Sequence, residues 1–203
     1  LQGGRLYETS PVKEVVKAQL GAIHELSIRY QLRLIIPFLS QYEELLHWRD
    51  YVRQHVPRSI PLGAMIETPS AALDIDRWLK AVDFIAVGCN DLMQHVFAAD
   101  RNDPALKAYL DPYAPVLFRL FKQMAEAASA NLDEVQLCGL FPQFSGIMPA
   151  LLGLGYRVFS VEPMLIPYLT EVIQGASLES SHRLAQNICE AHRSSEVKKL
   201  LGC

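Results

Sequence analysis

Apolar residues near the start of the chain recur first at helical spacing and then in a short unbroken run. Val12, Val15, Val16, Leu20, Ile23 and Leu26 lie three or four positions apart, which predicts an amphipathic helix over 11–30. Ser10 is placed to cap it, and Pro11 suits the first turn, where its missing N–H goes unneeded. The apolar run 33–39 predicts a strand closed by Ser40, and Glu43, Glu44, Leu45, Leu46, Trp48, Tyr51 and Val52 then predict a helix ending near Pro57. The alternation repeats, with strands at 62–67, 83–88, 135–139 and 157–161. Helices are predicted at 71–80, 91–99, 146–153 and 166–173. An added helix falls over 114–130, where Val116, Leu117, Leu120, Phe121, Met124 and Ala128 share a face. The tail 178–201 reads as one or two closing helices, with Ser194 and Ser195 as a cap between them.

Strands that are apolar throughout, each followed by a helix, require parallel pairing with both faces covered. The fold class is therefore α/β, as a parallel β/α barrel of TIM type or a doubly wound sheet, with five strands. Half of the 203 residues are hydrophobic and a fifth are charged, the balance of an ordinary soluble domain, so one domain over 1–203 is expected. The 22 acids and 19 bases are mixed along the chain, giving a formal charge of -3. That excludes an electrostatic footprint for nucleic acid. No apolar stretch approaches the roughly 20 residues of a membrane-spanning helix, so no membrane partner is expected. The opening Leu1-Gln2-Gly3-Gly4-Arg5 lacks an initiator Met and a signal region, which reads as a segment of a longer protein. Cys89, Cys138, Cys189 and Cys203 show neither CxxC pairing nor zinc-ligand spacing, which fits a reducing cytoplasm.

Polar residues stand at the C-terminal ends of these strands, the edge where parallel α/β folds bind ligands. Glu67 follows Ile66, Asn90 and Asp91 follow the third strand, and Cys138 ends the fourth. Glu67 and Asp91 are hard oxygen ligands suited to Mg2+ or Mn2+. A helix cap explains Asp91 equally well, whereas a carboxylate closing an apolar strand, as Glu67 does, needs a partner. Asn90 brings amide donors and a carbonyl, and Arg101 a planar fork matching phosphate or carboxylate, unless it only pairs with nearby Asp100. Cys138 between Leu137 and Gly139 is by itself a small buried hydrophobe.

The stretches 63–72, 82–94 and 98–101 closely resemble the signature of the phosphoenolpyruvate-utilising enzymes, the family of enzyme I of the sugar phosphotransferase system and phosphoenolpyruvate synthase. They read Gly-Ala-Met-Ile-Glu-Thr-Pro-Ser-Ala-Ala, Val-Asp-Phe-Ile-Ala-Val-Gly-Cys-Asn-Asp-Leu-Met-Gln and Ala-Ala-Asp-Arg. Leu137-Cys138-Gly139 is similar to the family's strand with its catalytic cysteine, 151–160 to the elements that follow, and 194–201 to the closing helix of enzyme I. The resemblance runs from about Gly3 to the C-terminus. It implies that Glu67 and Asp91 hold the metal, that Asn90, Asp91 and Arg101 contact the substrate, phosphoenolpyruvate, and that Cys138 exchanges a proton with the enolate carbon. Arg33 stands where the family tends to carry another basic contact.

A full barrel takes about 250 residues, so the resemblance implies its C-terminal part, with the family's first three strands expected before Leu1. No histidine here stands in the Thr-x-His setting of the family's phosphorylated residue. The phosphate acceptor is therefore expected on a separate histidine domain or phosphocarrier protein, with pyruvate released. The chain departs from the family at Gln2, where an arginine is usual, and at Leu140-Phe141-Pro142, where Glu or Gln followed by a loop of small residues is usual. Those departures support a rival reading, a regulatory or dimerisation module that binds phosphoenolpyruvate without turnover. A metal-dependent aldolase or lyase of the related barrel class is a third, although such an enzyme needs neither Cys138 nor the Asn90-Asp91 pair. Two open sheet edges further predict a homodimer, with Phe118, Leu120 and Phe121 as apolar residues either available to it or packed inside.

Overall fold

The computed structural model describes residues 3–203, so Gln2 lies outside the described residues. The chain divides into two compact units, one running to Ala86 and the other starting at Val87. Five strands form one parallel sheet in sequence order: β1 (Leu34–Ile36), β2 (Leu62–Ile66), β3 (Phe84–Gly88), β4 (Val135–Cys138) and β5 (Val158–Phe159). The α/β class expected from alternating apolar runs and helices is the observed one.

In the first unit, α1 (Gly4–Tyr7) leads into α2 (Ser10–Leu26). Thr9 rather than Ser10 is the N-cap residue, and its hydroxyl donates to the Leu6 carbonyl at 2.7 Å. The helix stops at Leu26, short of Tyr30, and just past its end the Ser27 hydroxyl bonds back to the His24 carbonyl. Strand β1 ends early because Pro37 has no N–H for a ladder and Phe38 takes φ 58°. Next, α3 (Tyr42–His55) is started by Glu44, whose carboxylate accepts the amides of Ser40 and Gln41 at 3.0 and 3.2 Å. It buries Leu45, Trp48 and Val52. Strands β1 and β2 pair with Leu34 opposite Leu62 and Ile36 opposite Ala64. The helix expected over 71–80 is two, α4 (Pro69–Leu73) and α5 (Ile75–Leu79), broken at Asp74. Asp74 there leaves the helical region, at φ -111° and ψ 18°, and its carboxylate pairs with Arg77 at 3.5 Å.

In the second unit, α6 (Cys89–Phe97) follows β3 without a loop and ends on Ala98 in the left-handed region, φ 50°. Helix α7 (Pro115–Ala128) carries Phe118 and Phe121 fully buried, and Phe121 stacks on Phe141 with centroids 4.9 Å apart. Of the two roles open to them, both phenylalanines take the inner one and face this unit's own core; Leu120 is half-buried. Helix α8 (Ile147–Gly153) and α9 (Ile166–Gly175) flank β5, and α10 (Leu178–Glu190) packs on α7 and α8. Gly153 lets the backbone of Ser181 approach so closely that no Cβ would fit. Arg119 reaches from α7 to the carbonyls of Cys189 and Ala191 at 3.0 and 2.7 Å, satisfying the end of α10. Helix α11 (Ser194–Leu201) closes the chain. Among the described residues no helix is long and apolar enough to cross a membrane.

Candidate functional site

Glu67 follows the C-terminal end of β2 and is 5% exposed. A carboxylate there needs donors, and the backbone N–H of Phe38 supplies one to its Oε2 at 2.8 Å. The positive φ of Phe38 belongs to the turn that presents this amide. Beside it the Tyr7 hydroxyl donates to the Pro37 carbonyl at 2.7 Å. Burial, and after it the charge of Glu67, push the Tyr7 pKa up to about 12. Gly3, at φ 66°, abuts the Phe38 carbonyl with no room for a side chain. The Gly-Gly step after Gln2 thus lets the chain lie against the turn that holds Glu67.

Arg33 does not share this edge. It precedes β1, at the N-terminal end of the strand, and its guanidinium lies over the Phe84 ring, 3.8 Å from the centroid. Given the parallel register of β1 and β2, Glu67 is roughly 20 Å further along the strand direction. The expected placement of Arg33 with the other site residues is therefore corrected. A residue that opens a parallel strand lies at the edge opposite to one that closes it.

In the second unit the ends of β3 and β4 meet through hydrogen bonds. The Cys138 thiol, half-buried, donates to the Val87 carbonyl at 3.0 Å, and the Cys89 thiol reaches the same oxygen at 3.5 Å. Cys89 is fully buried, and that burial, with a smaller contribution from neighbouring Cys138, pushes its pKa well up. Asn90 Oδ1 accepts the N–H of Leu140 at 2.9 Å. Gly139, at φ 91°, packs on the same amide group so tightly that a Cβ would lie 2.9 Å from Oδ1. Asn90 thereby fixes the turn that follows Cys138 and keeps its Nδ2 end as a donor.

Asp91 sits in the first turn of α6, where a negative charge is favoured by the helix dipole, and pairs with Arg101 at 3.3 Å. Asp100, the other candidate partner of Arg101, instead accepts the amide of Asn102 at 2.8 Å. The Arg101 amide is itself anchored on Gln94 Oε1 at 3.0 Å, which ties the loop to α6. Among the described residues, no three His, Cys, Asp or Glu side chains cluster as a metal site. Glu67 follows β2 and Asp91 lies in the first turn of α6, and a carboxylate of either kind is the hard oxygen ligand that Mg2+ takes beside water and phosphate.

Three participants were not singled out from the sequence. Tyr7 is brought to the Glu67 turn only by the fold. Cys89 stands inside the recognised motif, and only the position of Cys138 reveals its partner. Gln143 lies in the apolar loop, donating to the Gly139 carbonyl at 2.8 Å, while its buried Oε1 has no hydrogen-bond partner among the described residues.

The fold is a parallel α/β domain with a carboxylate, an amide and a thiol at or just past strand C-termini, from Glu67, Asn90 and Cys138. Residues 2–178 match the family described as PEP-utilising enzyme, PEP-binding domain, and the chain belongs to that family. It is 30% identical over 200 residues to a phosphoenolpyruvate-protein phosphotransferase of Buchnera aphidicola, covering 94% of this chain and 35% of the relative. Another phosphoenolpyruvate-protein phosphotransferase, from Listeria monocytogenes, is 30% identical over 199 residues, 93% of this chain and 35% of its own length. A multiphosphoryl transfer protein of Escherichia coli is 28% identical over 195 residues, 91% of this chain and 24% of the relative. The chain thus spans about a third or a quarter of the length of these relatives.

Proposed function

We propose that this chain is the phosphoenolpyruvate- and Mg2+-binding part of a transferase that passes phosphate from phosphoenolpyruvate to a histidine on another domain or phosphocarrier protein, releasing pyruvate. The observation that carries the reading is the Cys138 thiol. It stands at the end of β4, hydrogen-bonded to the end of β3, one residue before a turn held by Asn90. Loss of the phosphoryl group from phosphoenolpyruvate leaves the enolate of pyruvate, which needs a proton at carbon. In this reading Cys138 donates it. Arg101 and the Nδ2 of Asn90 bind phosphate oxygens, Asp91 orients Arg101, and Glu67 and Asp91 hold the metal. A bound Mg2+ or Mn2+ supplies positive charge for phosphate and enolate oxygens. Barrel closure, with further strands or a second copy, belongs to the same proposal, as does a homodimer.

Titration calorimetry of phosphoenolpyruvate with and without Mg2+ tests the reading. Weak binding that requires the metal and is lost in Asp91→Ala is expected, with no pyruvate released by this chain alone. Metal-independent binding that survives Asp91→Ala would overturn the site. The regulatory alternative draws on one observation: Asn90 Oδ1 and Arg101 are both engaged within the protein. It predicts the same binding, with no pyruvate even after a histidine-bearing domain is added.

A further inference from the structure

Two cysteines from different strand ends share one acceptor, the Val87 carbonyl, at 3.0 Å from Cys138 and 3.5 Å from Cys89. Their sulfurs are therefore at most about 6.5 Å apart, a gap that χ1 rotations and a small backbone adjustment can close to a disulfide. We propose that Cys138 is a site of reversible oxidation by hydrogen peroxide, and that Cys89 resolves it by forming a Cys89–Cys138 disulfide. The bond itself stands on this geometry. Its effect on turnover rests on the proton-donor reading of Cys138.

The two thiols differ in the way such a pair requires. Cys138 is half-buried and meets the oxidant first, whereas Cys89 is fully buried and shielded from it. In the first step the Cys138 thiolate attacks one peroxide oxygen. An S–O bond forms, the O–O bond breaks, and hydroxide leaves and takes up a proton to become water, leaving a sulfenic acid. In the second step the Cys89 sulfur gives up its proton and attacks the Cys138 sulfur. The S–S bond forms, the S–O bond breaks, and a second water leaves. Two thiols lose two electrons in all, and one peroxide is reduced to two waters. The attack is intramolecular, between two sulfurs that share one acceptor. The outcome is protective, because a sulfenic acid left unresolved proceeds to sulfinic acid, which thiols do not reverse.

Peptide mapping of the peroxide-treated chain by mass spectrometry is the test. The wild type should yield a linked Cys89–Cys138 peptide that disappears with dithiothreitol. Cys89→Ala, and Cys89→Ser as a second variant against misfolding, should instead accumulate Cys138 sulfinic acid that dithiothreitol does not remove. A wild type whose Cys138 stays reduced, goes to sulfinic acid, or bonds to Cys189 or Cys203 would overturn the proposal. If the disulfide forms but Cys138→Ser in the full-length enzyme still releases pyruvate at the wild-type rate, the proton-donor reading fails and the disulfide stands.

Discussion

The side-chain oxygen of Asn90 takes the backbone N–H of Leu140 at 2.9 Å, so the turn after Cys138 is held from the first turn of α6. Asn90→Ala removes that acceptor and should lower stability by about 1 kcal/mol. It should also speed alkylation of Cys138 by iodoacetamide, because the turn beside the thiol loosens. Asn90→Asp keeps an acceptor and should restore most of the stability. Thermal melts and timed alkylation with peptide mapping check both effects.

Tyr7 gives a pH dependence with a defined sign. Its pKa rises from 10.0 to about 12, so between those values the folded chain holds a proton that the unfolded chain releases. The stabilisation is complete below pH 10 and is lost as pH rises towards 12. Glu67→Gln should bring the Tyr7 pKa down only part of the way, since burial is the larger cause. Phenolate absorbance, read as the difference between the parent and its Tyr7→Phe variant, measures it.

Two glycines mark close approaches of different kinds. At Gly63 a methyl would sit 2.5 Å from the Phe84 ring, and at Gly153 it would meet the backbone of Ser181. Gly63→Ala should cost about 1–3 kcal/mol, an overpacking penalty that shifting the ring partly relieves. Gly153→Ala should cost more, since backbone has less room to yield. Urea unfolding of the two variants provides the comparison.

Arg33, stacked on Phe84, and Arg101, paired with Asp91, make a paired test of substrate contact. Arg101→Ala should weaken phosphoenolpyruvate binding roughly tenfold to a hundredfold, the usual consequence of losing one charge-assisted contact. Arg33→Ala should leave binding within about twofold, and the loss of its stacking on Phe84 should appear in the melting temperature instead. Calorimetry and melting of both variants would separate the roles.

Element order was legible because five apolar runs and the helices between them differ in period, and that contrast needs no tertiary information. Boundaries were less so. Nothing local announces that Phe38 adopts a left-handed conformation or that Asp74 divides a helix whose apolar spacing continues on both sides. The site followed the same division. Glu67, Asn90, Asp91 and Cys138 were visible as polar residues closing apolar strands, and strand polarity alone could have separated Arg33 from them. The two-thiol arrangement at Val87 and the approach of Tyr7 to the Glu67 turn depend on pairings dozens of residues apart in sequence. No periodicity encodes those.

The grip of Arg119 on the last carbonyls of α10 bears on where the chain can be cut. The family match stops at residue 178, where α10 begins, which invites a boundary there. Yet α10 contributes Ala185 and Ile188 to the buried interior, and Ser181 fills the space left open by Gly153. Ending the chain at 178 would leave Arg119 without the two carbonyls it serves and expose the side of α8 that α10 covers. A segment cut from the second unit should therefore run through α10 if it is to fold, and the end of a family match is a poor guide to where a fold ends.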